Sequence, residues 1–536
     1  MWGEGKTIIG RKKTCEGKFM NAQKLILAVV FLSCVSACDQ FGLCKVGHEA
    51  ADCPLGTFCY GGLHPKAGDM GVCTRKAAVS AVELVEGPAG ESEAGEPGKP
   101  EEATPELRPL RISGFSPPMA PHGATLHIYG ENFSAVASEN SIRLAGFQVP
   151  ADSIVWVTET EITLVVPQNT RCTGPLQICT GPVQVLVNDK AATSVASFTY
   201  VPTVVVSTFA GSGPTGKENG GWRDGSKQTA RLNEPRGVVV GLENHLYVTD
   251  YENHRIRKIS PEGEVSTFAG SAIGYRNASG TNARFDHPTG IALNAALGNL
   301  YVVDACNGYI RQITPLGNVT TFAGTGGQCS NDNLACFAKP SGMALDAKTG
   351  NLYMADTLHH RILRVTPLGV VEHFAGSSTG AQGYADATGA HAQFYMPDGM
   401  ALDAAGNLYV ADYANHCIRK ISPAGVVTTF AGECTQSGFA DGFASFARFT
   451  HPSGIAVDAR TGTLYISDYA RHLIRKITPE GMVSTLAGNV SAGCGLKEGL
   501  GALAQFCYPA GIAIDEEGNL YVADTLNHRI RKIVFE

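Results

Sequence analysis

From residue 204 onward, apolar residues come in short strand-length runs broken by Gly, Pro, Asn and Asp. One set reads Gly399-Met-Ala-Leu-Asp403, Asn407-Leu-Tyr-Val-Ala-Asp412, Cys417-Ile-Arg-Lys-Ile421 and Val427-Thr-Thr-Phe-Ala-Gly432. The runs are rich in Val, Ile, Tyr and Thr, residues that suit a pleated, half-buried surface. Asp-x-x-Gly-Asn joins the first run to the second, and Pro-x-Gly joins the third to the fourth. Both are tight-turn chemistry: Pro presets φ, and Gly accepts the positive φ that other residues resist. The set therefore predicts four antiparallel strands. It is repeated: the Asp that closes the second run recurs at Asp250, Asp304, Asp356, Asp412, Asp468 and Asp524, with spacings of 54, 52, 56, 56 and 56. A fixed period of this length dictates architecture.

Four-stranded units repeated about an axis make a β-propeller, here with six blades. The ends of the array predict a closed ring. The sixth copy stops after its third run, at Arg531-Lys-Ile-Val-Phe-Glu536, and a lone fourth-run phrase, Val204-Val-Val-Ser-Thr-Phe-Ala-Gly211, precedes the first copy. Strand 204–211 is expected to complete the last blade of a propeller spanning 203–536, which leaves no long open edge. Residues 108–202 also alternate short strands with turns, at the length of a β-sandwich. The expected class is all-β: a six-bladed propeller preceded by an immunoglobulin-like sandwich and a small cysteine-rich module.

Two phrases carry family resemblances. Asp-x-x-Asn-His-Arg-Ile-Arg-Lys, complete at Asn253-His254-Arg255 and Asn527-His528-Arg529, resembles the NHL repeat. Blade two departs with Asn307-Gly308-Tyr309, blade three with His359-His360-Arg361 and blade five with Arg471-His472-Leu473. Arg111-Ile-Ser-Gly-Phe-Ser-Pro-Pro, Gly123-Ala-Thr-Leu-His-Ile-Tyr-Gly-Glu-Asn-Phe133 and Ala196-Ser-Phe-Thr-Tyr200 resemble the IPT/TIG domain. That resemblance implies an immunoglobulin-like sandwich of exported and cell-surface proteins, expected here to act as a spacer.

Ahead of the folded part, Lys24 leads into Leu25-Ile-Leu-Ala-Val-Val-Phe-Leu-Ser-Cys-Val35 and then Ser36-Ala37-Cys38. This short apolar stretch ending in small residues reads as a signal peptide over 1–37, with the start of translation expected at Met20 or an extended leader as the alternative. Val-Ser-Ala-Cys resembles the bacterial lipobox, which makes Cys38 the expected lipid attachment site. A plain cleaved signal peptide is the alternative. Residues 38–76 hold Cys44, Cys53, Cys59 and Cys73 with too little apolar content for a core, so two disulfides among them are expected. Residues 77–107, rich in Glu, Gly, Pro and Ala, read as a disordered acidic linker. Further disulfides are expected at Cys172–Cys179, Cys417–Cys434 and Cys494–Cys507, and at Cys329–Cys336 with Cys306 left over, or alternatively Cys306–Cys329.

In such a blade the second-to-third connection and the blade-to-blade connection emerge on one face. The latter are long and aromatic, so this is the expected binding face, with Trp222, Tyr275, His287, Tyr384, His391, Phe439, Phe443, His451 and Tyr508 as candidates. Residues needed in nearly every blade are expected to be structural: the closing Asp, the recurrent His254, His360, His416, His472 and His528, and Arg257, Arg311, Arg364, Arg419, Arg475 and Arg531. The peptide-amidating lyase resembles this fold and holds zinc with histidines in its channel. Here the innermost strands contain no His, and His287 and His451, at strand entrances, lie three blades apart. No nucleophile elbow, phosphate loop or His-Glu-x-x-His motif is present. No cofactor, no metal and no catalytic residue is therefore expected. A net charge of −7 argues against a nucleic-acid partner. The expectation is a non-catalytic, monomeric, membrane-anchored lipoprotein of the cell envelope, facing periplasm or cell surface and binding a protein or glycan. A metal-dependent lyase or hydrolase at the channel mouth is the alternative.

Overall fold

A computed structural model describes residues 57–58, 74–75, 109–167, 179–217, 219–327 and 334–536. The expected signal region, lipid attachment at Cys38, the disulfides among Cys44, Cys53, Cys59 and Cys73, and the acidic linker lie outside these residues. Within the first unit, residues 1–106, only the two-residue strands Thr57–Phe58 and Thr74–Arg75 are described, paired antiparallel.

In the second unit, residues 111–200 form two antiparallel-rich sheets. One holds Arg111–Ser116, Thr125–Glu131, Glu161–Val165 and Ile154–Val157; the other holds Lys190–Tyr200, Cys179–Val187 and Asn140–Leu144 flanked by two short strands. Alternate residues point inward: Leu126 and Ile128 from the first sheet and Val183, Val185 and Phe198 from the second are fully buried in one core. Burying such side chains is the main stabilisation available to a sandwich, about 25 cal/mol per Å² of apolar surface.

Residues 204–535 form six sheets, each with four main antiparallel strands, in chain order in the first five. In the fourth sheet the order is Pro397–Leu402, Leu408–Asp412, Cys417–Ile421 and Val427–Ala431. In the last sheet the outer strand is Val204–Ala210, which pairs antiparallel with Arg529–Phe535. The chain is fastened there by Thr203 and Glu536, each donating its amide to the other's carbonyl.

The innermost strands close a ring. Each carries Pro-x-Gly (in the third sheet, just ahead of Met343–Leu345), and the Gly sits against the backbone carbonyl of the x residue on the next strand. Gly290 faces Ser341 O, Gly399 faces Ser453 O, and Gly511 closes the cycle on Arg236 O. A Cβ at Gly511 would collide with that carbonyl, so the ring packs backbone to backbone. Between blades, apolar side chains from facing sheets fill separate cores: Tyr409, Ile418, Phe449 and Ile466 make one, and Val206, Ile474, Phe506 and Val522 another.

Disulfides fasten the loops of the long-loop face. Cys417–Cys434 joins the third strand of blade four to the residues following its outer strand, and Cys494–Cys507 closes one loop ahead of blade six. Cys306 and Cys336 are both disulfide-bonded, so the pairing that leaves Cys306 as a free thiol does not hold. Cys329 and Cys172 lie outside the described residues, and Cys179 is disulfide-bonded.

Candidate functional site

Residues that recur in every blade have a shared task. Asp412 is fully buried, and three donors converge on it: the Tyr395 amide at 2.8 Å, Asn415 Nδ2 at 2.9 Å and Arg419 Nη1 at 2.8 Å. Arg419 is itself fully buried and also donates to the carbonyls of Gln393 and Ala385 and to Asp386. The same buried ion pair recurs with Asp250 and Arg257, Asp304 and Arg311, Asp468 and Arg475, and Asp524 and Arg531. Burial pushes the Asp304, Asp412 and Asp468 carboxyls up to about 6, against the pull of their donors. Each pair stitches second strand, third strand and blade-to-blade loop together.

Blade three differs, and the sequence reading misplaced its arginine. Counted from the closing Asp, the buried arginine comes seven residues on in five copies; in the third, that position is Leu363, fully buried. Arg364 has the opposite strand parity and pairs at the surface with Glu372. Arg361 takes up the carboxylate instead, with Nε 2.9 Å from Asp356 Oδ2, and His359 Nδ1 shares that oxygen at 2.8 Å.

The recurrent histidines join neighbouring blades. Each caps a short 3-10 turn with φ between 54° and 61°. Its Nδ1 accepts the amide of the residue before the next blade's Pro: His254 from His287, His360 from Met396, His416 from His451, His472 from Tyr508, and His528 from Glu234 across the ring closure. That geometry requires a neutral imidazole. Burial, followed by the neighbouring His287 or His451, lowers His254 and His416 to about 4.

What does not recur gathers at the mouth of the ring. The x positions of Pro-x-Gly are Arg236, Thr289, Ser341, Asp398, Ser453 and Ala510. Arg236 lies over the Tyr251 ring at 4.7 Å and beside Glu234 at 3.7 Å. Burial works against its charge, yet its surroundings raise its pKa, with Glu234 and Asp398 as the carboxylates beside it. Asp398 accepts from Ser453 Oγ at 2.6 Å. Tyr413, Tyr469 and Tyr508 form a chain of rings, with centroids 6.1 Å and 4.9 Å apart, and Tyr413 stacks on His451 at 4.6 Å. Burial pushes the Tyr413 and Tyr469 hydroxyls up, so they stay neutral donors.

Family models agree with this geometry. The NHL repeat model matches residues 232–259, 449–477 and 506–533, and the IPT/TIG domain model matches residues 110–200. The chain carries NHL repeats and an IPT/TIG domain. A third model, the SMP-30/Gluconolactonase/LRE-like region, matches 340–436 within the same propeller. The protein SUPPRESSOR OF QUENCHING 1, chloroplastic, of Arabidopsis thaliana is 30% identical over 333 residues, covering 60% of this chain and 26% of its own. NHL repeat-containing protein 2 of Bos taurus is 29% identical over 302 residues, covering 49% of this chain and 42% of its own. This chain thus spans less than half the length of either relative. Among solved structures, an auxiliary nutrient binding protein from Bacteroides thetaiotaomicron superposes with a TM-score of 0.50 at 20% identity, covering 80% of this chain and 98% of that one.

The NHL propeller divides the residues singled out in the sequence. His287, His451 and Tyr508 precede the inner-strand prolines and reach the mouth, all with φ between 52° and 56°. Tyr275, Tyr384 and Phe439 instead cover the buried guanidinium groups of Arg311, Arg419 and Arg475 at 4.7 to 5.0 Å. Trp222 covers Arg255 at 4.2 Å. Phe443 is half-exposed in a two-residue strand against Met482, and His391 closes a 3-10 turn. The sequence reading missed Arg236, Tyr251, Asp398, Tyr413 and Tyr469. They occupy variable positions inside otherwise constant phrases, and only the closed ring shows that these positions meet.

Proposed function

We propose that the chain is an exported, lipid-anchored binding protein whose NHL propeller receives a polar ligand, a cell-envelope or extracellular glycan, over the mouth of the ring. The observation that carries this reading is the contrast within the repeats. Five of the six blades share one buried Asp–Arg pair, and the variable residues of the inner phrases converge on one rim. There, one guanidinium, two carboxylates and several hydroxyls surround tyrosine faces. A few convergent polar groups among aromatic walls is the composition of a ligand site. The binding role also draws on the shared fold of an auxiliary nutrient binding protein.

The test is retention of the chain on an array of bacterial envelope and extracellular glycans, with Arg236→Ala and Tyr469→Ala as mouth variants. Binding that falls at least tenfold in both supports the reading. Binding unaltered by both, or capture of a protein partner through another surface, overturns it. Cys38→Ala, followed by metabolic labelling with an alkynyl fatty acid, tests the anchor: label lost with the thiol supports it, and label retained or absent from the parent overturns it.

A second reading, a metal-dependent lyase or hydrolase at the mouth, draws on the match to the SMP-30/Gluconolactonase/LRE-like model. It requires turnover of a lactone or ester that the mouth variants abolish.

A further inference from the structure

His287 and His451 stand at separate blade junctions, three blades apart. Each of these histidines has a nearer partner, the recurrent histidine of the preceding blade. His287 meets His254 edge-to-face with ring centroids 4.5 Å apart, and His451 meets His416 at the same 4.5 Å. Each pair also has a tyrosine against it, Tyr251 at 4.7 Å and Tyr413 at 4.6 Å. The two junctions differ in their acids. The first carries Asp286 and Glu252; the second has Thr450 and Ala414 at the same places.

Those acids complete a ligand set. One candidate ligand atom each from His254, Asp286 and His287 lie within 4.8 Å of one another, all on half-buried residues. His287 Nδ1 is 2.6 Å from Asp286 Oδ1, and its Nε2 is 3.7 Å from Glu252 Oε1. Nδ1 and Asp286 Oδ1 are close enough for one ion to replace the proton between them, while Glu252 faces the far nitrogen, Nε2, and orients the ring as second-shell carboxylates do behind metal-bound histidines. His254 is oriented in the same way: its Nδ1 is held by the His287 amide at 3.2 Å, which leaves Nε2 for an ion.

We infer that the junction of blades one and two is a binding site for a divalent transition metal of the zinc class, held by His254, His287 and Asp286 with Glu252 alongside. Two imidazoles and a carboxylate suit zinc and its borderline neighbours and are a poor match to magnesium or calcium, which take oxygen ligands. Three protein ligands leave a coordination position for water or for a ligand group. Tyr251, whose ring is 4.7 Å from His287 and also lies under the Arg236 guanidinium, connects this site to the mouth. The inference does not depend on what the mouth binds.

The test is calorimetric titration of zinc chloride into the oxidised, chelator-treated chain without a histidine tag, read with elemental analysis after desalting. The expected result is one zinc per chain. Asp286→Asn is expected to weaken affinity at least tenfold and Glu252→Gln severalfold, while His451→Gln, at the junction without acids, stays within twofold of the parent. Glu252 is on the surface of a turn, so Glu252→Gln keeps the test decisive if Asp286→Asn fails to fold, as judged by thermal melting in chelator. No binding up to millimolar zinc, or equal affinity in folded Asp286→Asn and Glu252→Gln, overturns the site. So does zinc that is lost equally in His451→Gln.

Discussion

Blades three and four solve one problem in two ways. Both end their second strand in a fully buried carboxylate, Asp356 and Asp412. Blade four meets it with Arg419, a guanidinium so enclosed that its Nη atoms serve two carbonyls and two acids at once. Blade three puts Leu363 in that space and reaches the carboxylate from the strand's first residue, Arg361, with His359 beside it. The lesson is that the fold demands a partner for the aspartate, not a particular arginine. An unpaired charge in the interior is what the structure cannot tolerate.

The largest way to break the comparison is to remove what both blades depend on, the closed ring. Deleting residues 204–211 strips the outer strand from blade six and exposes the edge of Arg529–Phe535. The chain should lose its cooperative melt and aggregate on heating. A melt like that of the parent would mean that closure does not rest on this strand.

Arg419→Met comes next. It leaves Asp412 buried with only Asn415 and one amide, and should cost about 3–5 kcal/mol, the range for breaking a buried ion pair by removing one partner. Arg361→Met in blade three should cost less, about 1–3 kcal/mol, since His359 Nδ1 remains 2.8 Å from Asp356. Denaturant midpoints for the two variants, measured at matched m-values, give the difference directly. Equal costs would show that His359 contributes nothing.

A pH scan sharpens a second contrast. Blades one, three, four, five and six join their neighbours through a histidine, while blade two has Gly308 there. His416 is held at about 4, below the unfolded value near 6.5. Between those values the unfolded chain binds a proton that the folded chain does not, so stability falls as pH falls through this window. His416→Gln should remove about one proton from that slope, narrowing the difference in Tm between pH 7.5 and pH 5. Arg364→Ala should produce the smallest effect, under about 1 kcal/mol, because both partners of its surface pair with Glu372 are more than a third exposed.

The architecture was legible because a period repeated six times averages out local ambiguity, and because an orphan strand at one end matched a missing strand at the other. The buried lattice was legible as recurrence. Arg364 was misread because two arginines flank the position; counting seven residues from Asp356 would have reached Leu363. The mouth was harder. Arg236 and Asp398 are ordinary in sequence and acquire meaning only when the ring sets them within each other's field. The pairing of His254 with His287 joins the turn ahead of one blade's third strand to the loop ahead of the next blade's first. Repeat alignment compares equivalent positions between blades, so it passes over contacts of this kind.

The strand Val204–Ala210 is the first piece of the propeller to be made, and its partner Arg529–Phe535 follows roughly 320 residues later, on the order of 15–65 s at about 5–20 residues per second. Through that interval the opening strand has no mate and the growing array has no seam. The ring therefore cannot close until Arg529–Phe535 has been made. A chain halted short of residue 529 would carry an unpaired strand at its start and an unfinished blade at its end, the kind of open edges on which other chains can pair.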